Sequence, residues 1–175
     1  RFKRTTDSEH AWPVAPNLVA QDFIADGPDR KWGADISYIW TAEGWLYLAV
    51  VLDLFSRRVV GWATNDRLKR NLAVEALRRA LVARNPAPGL VHHSERGAQY
   101  CSADYQALLR KRGILISMSG RGNCDDSSMV ETFFKTIKSE PIWPVAWQTR
   151  AQAENAVARY IDGFYNPVRR HSSLG

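Results

Sequence analysis

The chain has 175 residues, a formal net charge of +6, 45% hydrophobic residues and a sequence pI of about 9.6. That length buries a sizeable core in one domain, and that apolar content excludes a disordered tail. No run reaches the ~18 apolar residues that span a bilayer, and the two cysteines, Cys101 and Cys124, have no CxxC partner, which excludes a zinc site or a disulfide framework.

The basic balance fits a polyanionic partner such as nucleic acid, although composition alone fits an ordinary basic protein as well. No apolar run follows the basic start, so no signal peptide is expected and the default compartment is reducing and cytoplasmic. The first residue is Arg1 and not Met, which reads as a piece of a longer protein.

Residues 1–30 contain Pro13, Pro16 and Pro28 and read as a connecting arm, with one helical turn in "PNLVAQDF". "KWGADISYIW" is rich in β-branched and aromatic residues and predicts a strand. A Glu-Gly turn, the apolar run "WLYLAVVLDLF", a turn at "SRR" and "VVGWAT" complete a three-stranded antiparallel meander. Apolar residues at helical spacing in "NLAVEALRRALVARN" predict a helix ending near Pro86. "GLVHH" is the fourth strand. "SADYQALLRKRG" is a second helix, with Ser102 as N-cap and Gly113 as stop. "ILISMS" is the fifth strand, "GRGNCDDSS" a loop, and "SSMVETFFKTIKSE" a third helix closed by Pro141. "TRAQAENAVARYIDGFYN" is a last amphipathic helix, followed by the basic tail "PVRRHSSLG". The tryptophans Trp32, Trp40, Trp45, Trp62, Trp143 and Trp147 are expected in the core. Three strands followed by alternating strands and helices predict an α/β fold: a mixed five-stranded sheet, a meander plus two parallel strands, with helices on both faces. The order is that of the ribonuclease H-like architecture.

Three acids occupy costly or conspicuous places. Asp35 lies mid-strand, where a charge is expensive unless it is paired or binds a cation. Glu95 directly follows the fourth strand, and Glu131 lies in the first turns of the third helix. Singly, each has an ordinary reading: an ion-paired core acid, a cap or partner of Arg96, and an acid favoured by the helix dipole. Together, acids on three elements can converge at one edge of a sheet, where oxygen-only ligands select Mg²⁺ or Mn²⁺. Glu131, Lys135 and Lys138 stand at i, i+4 and i+7 and share a helix face, with Phe133, Phe134 and Ile137 turned to the core. Asp53, before Ser56 and Arg57, reads as a turn and ion-pair acid. His92 and His93 read as structural, since hard cations favour oxygen.

At these residues the chain resembles a known family. "DISYIWTAEGWLYLAVVLDLFSRRVVGWA", "HHSERGAQYCSADY", "GILISMSGRGNCDDSSMVETFFKTIKSE" and "FYNPVRRHSSLG" are similar to the OrfB-type transposases of bacterial insertion sequences (family three), relatives of retroviral integrase. The resemblance covers nearly the whole chain. It implies a ribonuclease H-like catalytic core with an Asp-Asp-Glu triad at Asp35, Glu95 and Glu131, and a basic residue after the last acid at Lys138. The interval between Glu95 and Glu131 is the family's spacing. Glu95 departs from the pattern, which has Asp there. The family's N-terminal helix-turn-helix region, which reads the element ends, is expected outside these residues.

The resulting expectation is a transposase catalytic domain performing metal-dependent DNA cleavage and strand transfer. Its alternatives are a DNA-binding remnant impaired by Glu95 and a related nuclease acting on RNA–DNA hybrids. Asp35 would bridge two Mg²⁺ or Mn²⁺ ions, with Glu95 and Glu131 each holding one. Lys135, Lys138, Arg121, Arg169 and Arg170 are the expected DNA contacts. The organisation expected is an arm over 1–30, a catalytic core over 31–141, and a C-terminal helix and tail over 142–175. Expected partners are transposon-end and target DNA, further copies of the chain, and a helix-turn-helix protein or N-terminal region. No membrane is involved, and the expected place is the bacterial cytoplasm at the nucleoid.

Overall fold

The computed structural model describes residues 14–18, 24–119, 128–142 and 145–167. Strands β1 (Lys31–Thr41), β2 (Gly44–Asp53) and β3 (Val59–Asn65) form the antiparallel meander. The short strands β4 (Val91–Ser94) and β5 (Leu115–Met118) join in parallel, giving the order β3-β2-β1-β4-β5. The sheet is therefore the mixed five-stranded one that the sequence predicts.

Strand periodicity sends alternate residues of β1 to opposite faces. Trp32, Ala34 and Ile36 enter a core shared with α1 (Arg70–Arg84) and α3 (Ala103–Lys111). Ile39 enters a second core on the other face, shared with α4 (Ser128–Ile137) and α5 (Arg150–Tyr160). The expectation of helices on both faces holds. Gly61 on β3 lets α1 approach closely: a Cβ there would collide with the Ala76 carbonyl oxygen and lie 2.7 Å from Ala80 N.

Ser102 caps α3 by accepting from Tyr105 N–H, and Gly113 ends that segment at φ 68°. A further one-turn helix, α2 (Ala98–Cys101), precedes it; one turn is too short to carry a periodic signal. Pro141 does not close α4 as expected. It lacks the N–H that the α ladder requires, and the chain widens into a π-helical turn over Lys138–Ile142. Thr149 and Gln152 form a capping box that starts α5. Asn166 then fastens the following turn to β3, through bonds to the Val59 N–H and carbonyl at 2.9 Å each.

The tryptophans depart from expectation. Trp32 is fully buried, but Trp45, Trp62 and Trp147 are half-buried and Trp40 is 60% exposed. Trp40, Trp45 and Tyr38 instead build an edge-to-face ladder near the β1–β2 turn, where the sheet outruns the helices that would cover it. Trp143 and the expected loop over 120–127 lie outside the described residues. Among the described residues no helix is long and apolar enough to cross a membrane.

Replacing Gly61 by Ala drives a methyl group into helix backbone and not into a flexible side chain. We expect a loss of about 1–3 kcal/mol, the usual cost of overpacking, seen as a lower denaturant midpoint with an unchanged slope. An unaltered midpoint would show that α1 can move off the sheet freely.

Candidate active site

The site forms where β1 outruns β4. The parallel register ends at Ala34 opposite Ser94, so the next residues along each strand direction are Asp35 and Glu95. Beyond them β1 has no neighbour on that side among the described strands. Helix α4 crosses the same face of the sheet. Gly33 makes this possible: a Cβ at Gly33 would lie 2.8 Å from Val130 Cγ2 and 3.2 Å from Leu54 Cδ2. Because Val130 precedes Glu131 and Gly33 shares a face with Asp35, the same contact carries Glu131 toward Asp35.

A cleft of about 730 Å³ opens there, with Asp35, Ser37, Glu131, Lys135 and Lys138 among its lining. Glu95 stands outside this lining but within electrostatic reach of both other acids. Asp35 is 9% exposed, and its Oδ1 accepts from Ile36 N–H at 2.8 Å. Burial is the main force raising its pKa to about 8. The Glu95 and Glu131 charges add to it, and the Ile36 N–H and Lys138 oppose it. Glu95 is raised as well, by burial and then by Glu131. Lys138 is half-buried, with Nζ 4.9 Å from the Tyr38 ring centroid. Burial lowers its pKa and the Asp35 charge partly restores it. Lys135 is exposed.

The donor chemistry fits a hard divalent cation: three carboxylates, of which Asp35 is buried among the charges of the other two. Among the described residues no three acidic, histidine or cysteine side chains already form a compact ligand cluster.

The lysine stripe that the sequence predicts runs along the cleft, and Phe133, Phe134 and Ile137 are buried as expected. Arg121, Arg169 and Arg170 lie outside the described residues. Asp53 is fully buried and holds its turn, accepting from Ser56 Oγ at 2.7 Å and from the Ser56 and Asp29 N–H groups at 3.2 Å each. His92 Nε2 bonds Tyr105 Oη at 2.6 Å, and His93 Nδ1 bonds Ser117 Oγ at 2.8 Å. Burial, aided by His93, pushes the His92 pKa down to about 3, so it is a neutral structural residue. Sequence reasoning missed Ser37 and Tyr100. Strand periodicity, counted on from Asp35, finds Ser37; no sequence pattern marks Tyr100, which lies in the unpredicted α2 and whose pKa is raised by burial, by Tyr105 and then by the Asp35 and Glu95 charges.

Comparison with known proteins bears on the family and the fold. A family model described as integrase core domain matches residues 25–124, and a second model of the same description matches residues 112–175. Transposase InsF for insertion sequence IS3A of Escherichia coli is 45% identical over all 175 residues, which cover 61% of that protein. The insertion element IS600 uncharacterized 31 kDa protein of Shigella sonnei is 42% identical, again over the whole chain and 64% of its own length. The chain thus spans somewhat over three-fifths of the relatives it matches. Among solved structures, the HTLV-2 integrase catalytic core domain in complex with magnesium superposes with a TM-score of 0.60 at 16% identity, over 78% of this chain and 87% of that one. A chain of a simian T-cell lymphotropic virus intasome gives the same TM-score at 18% identity, over 89% of this chain and 55% of that one. The fold is that of retroviral integrase cores, ribonuclease H-like as the element order predicts.

Because the fold raises the Asp35 pKa from 3.8 to about 8, it favours the protonated acid. That contribution is complete below about pH 4 and is lost as the pH rises toward 8. Without divalent cations, the melting temperature of the parent should fall over this range more than that of Asp35→Asn. The gap should be widest near pH 8, with roughly 2–4 °C for each kcal/mol relieved at this chain length. Parallel profiles for the two proteins would mean that Asp35 ionises freely in the fold.

Proposed function

This chain belongs to the integrase core domain family, and on that premise we propose that it cuts DNA at the end of a mobile element and joins the freed end to a target by metal-dependent phosphoryl transfer. The observation that carries the reading is the convergence of charge from Asp35, Glu95 and Glu131, three acids on separate elements, beside a cleft that carries Lys135 and Lys138. On this reading Asp35, Glu95 and Glu131 would hold the divalent cations, Mg²⁺ or Mn²⁺. Such ions would activate the attacking oxygen and offset the charge on the departing one.

The chain's own residues do the rest. Asp35 fixes the centre of the site because the sheet holds its backbone. Lys135 and Lys138 receive successive phosphates along α4, so the DNA backbone runs down the helix stripe past the acids. In cleavage, a water oxygen bonds to phosphorus as the bond to the 3′ oxygen breaks. A proton taken up by that oxygen leaves a 3′-hydroxyl. In joining, this hydroxyl gives up its proton and attacks a second phosphodiester, whose displaced oxygen is protonated in turn.

Partners on this reading are element-end DNA, target DNA, other copies of the chain and a helix-turn-helix segment that reads the ends, at the bacterial nucleoid. A second reading, a DNA-binding remnant without catalysis, is favoured by Glu95 and by the absence of a compact ligand cluster among the described residues. Calorimetric titration separates the two, since a remnant need not bind Mn²⁺ or Mg²⁺.

Asp35→Asn and Glu131→Gln should each reduce cleavage and strand transfer to below about a hundredth of the parent rate, on the scale of misplaced reacting groups. Circular dichroism and nonspecific DNA affinity should stay near those of the parent. Faster cleavage by either variant removes that acid from the site.

Glu95 gives a separate test. Its extra methylene displaces the carboxylate by about 1 Å relative to Asp, an error that can cost on the order of 10²-fold in rate. Mg²⁺, with its strict octahedral demand, should suffer more than Mn²⁺. Glu95→Asp should therefore raise the Mg²⁺-dependent strand-transfer rate. A slower Glu95→Asp protein would mean that the backbone around Ser94–Gly97 is already adapted to the longer arm.

A further inference from the structure

Trp40, at the end of the β1–β2 hairpin, is 60% exposed and belongs to a larger aromatic surface. Its ring meets that of Trp45, its partner across the two strands, with centroids 4.8 Å apart, and Trp45 meets Tyr38 edge-on at 4.9 Å. Tyr38 and Trp45 border the core shared with α1 and α3, so the surface lies on that face of the sheet. Its exposure is not looseness, because the hairpin end is fastened from the α5 side. Ala42 N–H donates to the Trp147 carbonyl at 2.9 Å, Arg150 Nε to the Trp45 carbonyl at 3.0 Å, and Arg150 N–H to the Glu43 carboxylate at 2.8 Å.

Cations frame the rings on two sides. Past Ala34, β1 has no neighbour on the β4 side among the described strands, and Lys138 reaches over that open edge. Lys138 lines the cleft beside Asp35 and also holds Nζ 4.9 Å from the Tyr38 ring centroid. Cleft and aromatic surface lie on opposite faces of β1, yet they share this cation. On the other side, β3 ends at Asn65, paired with Tyr47, which pairs in turn with Tyr38. The link from there to α1 packs Leu68 against the same core as Tyr38 and Trp45 and leaves Arg67 and Lys69 exposed. It carries one acid, Asp66, against Arg67, Lys69 and Arg70.

Exposed rings between cations suit an unpaired DNA strand: its bases offer flat faces for stacking and its phosphates meet lysine and arginine. A duplex keeps its bases stacked on one another, and an apolar protein face would leave the cations unmatched. We propose that Trp40, Trp45 and Tyr38 form a stacking platform for an unpaired stretch of DNA that continues from the cleft around the open edge of β1, with Lys138 as the shared phosphate contact. This deepens the DNA-processing reading above and rests on it: the substrate is DNA whose strands have separated beside the acids.

The test uses the 175-residue chain without divalent cations, with labelled oligothymidylate as the single strand and a blunt duplex of the same length. Fluorescence anisotropy gives both affinities, and intrinsic tryptophan emission reports stacking. The parent should bind the single strand with quenched emission. Trp40→Ala should bind it at least about 5-fold more weakly, the lower end of the effect of losing one stacked base, with less quenching and with parental duplex affinity. Trp40→Phe, which keeps a flat ring, should recover most of the loss. Arg67→Ala should lower the single-strand salt slope by about 0.7. Parental single-strand affinity in Trp40→Ala overturns the platform, as does an equal loss on duplex. Unquenched emission in the parent overturns it too, with no variant needed. A Trp40→Ala protein of parental DNA affinity that sediments as a smaller species assigns the surface to a second copy of the chain instead. A parent that binds duplex but not the single strand removes the platform and leaves the DNA reading standing; one that binds neither removes both.

Discussion

The site depends on how closely α4 can lie against β1. At Gly33 a hydrogen stands where any other residue would carry a Cβ, and that Cβ would meet Val130 at 2.8 Å. The absence of one methyl group thus sets the height of the helix above the sheet. The consequence is chemical because the neighbours of the two touching residues are the acids: Glu131 follows Val130, and Asp35 is the next residue of β1 on the face of Gly33. Two carboxylates far apart in sequence are brought within each other's field by the seating of the Val130 side chain on Gly33, a contact that neither makes. On the opposite face, the approach of α1 to Gly61 holds the sheet from behind, so α4 rests on a surface that cannot yield easily.

Strand length supplies the second constraint. β1 has 11 residues and β4 only 4, and the shorter strand stops one position before Asp35 and Glu95. The observed mismatch puts Asp35 at the boundary, buried yet facing a cleft. The cost is carried by the fold, since burial and two like charges oppose ionisation of Asp35. The charges of Glu95 and Glu131 both act on Asp35, while Glu95 is raised by burial and then by Glu131. Acids perturbed in this way cluster at functional sites, which is the ground on which these three are proposed as one.

Much of this was legible in the sequence, and for physical reasons. The strands were readable because half-buried β-structure alternates, and the helices because α1, α3 and α4 carry apolar residues at helical spacing. Asp35 stood out because a charge inside an apolar strand needs a reason. That three acids on separate elements can converge at one sheet edge followed from the element order, and the triad assignment from resemblance; nothing in the interval from Asp35 to Glu131 states that Gly33 lets α4 descend onto β1. Single-turn α2 carried no period and went unread. Pro141 misled because a π-helical turn can contain a proline that an α-helix would exclude. The tryptophans misled because hydrophobicity predicts burial only where a helix covers the sheet, and at Trp40 none does.

The three acids also differ in how firmly they are held, and this bears on the glutamate after β4. Asp35 has a short arm on a paired strand and is 9% exposed, so its carboxylate position is set by the sheet. Glu131 and Glu95 are half-buried, on longer arms, one in the first turn of a helix and the other just past a strand end. Longer arms have more rotamers and lose more entropy when fixed. They can also reach an ion that a rigid ligand has already located. An exchange of Asp for Glu is therefore least disruptive at a position such as Glu95, outside the cleft lining and beyond the end of its strand. The same exchange at Asp35 would lengthen the arm of the acid whose Oδ1 is held by the Ile36 N–H.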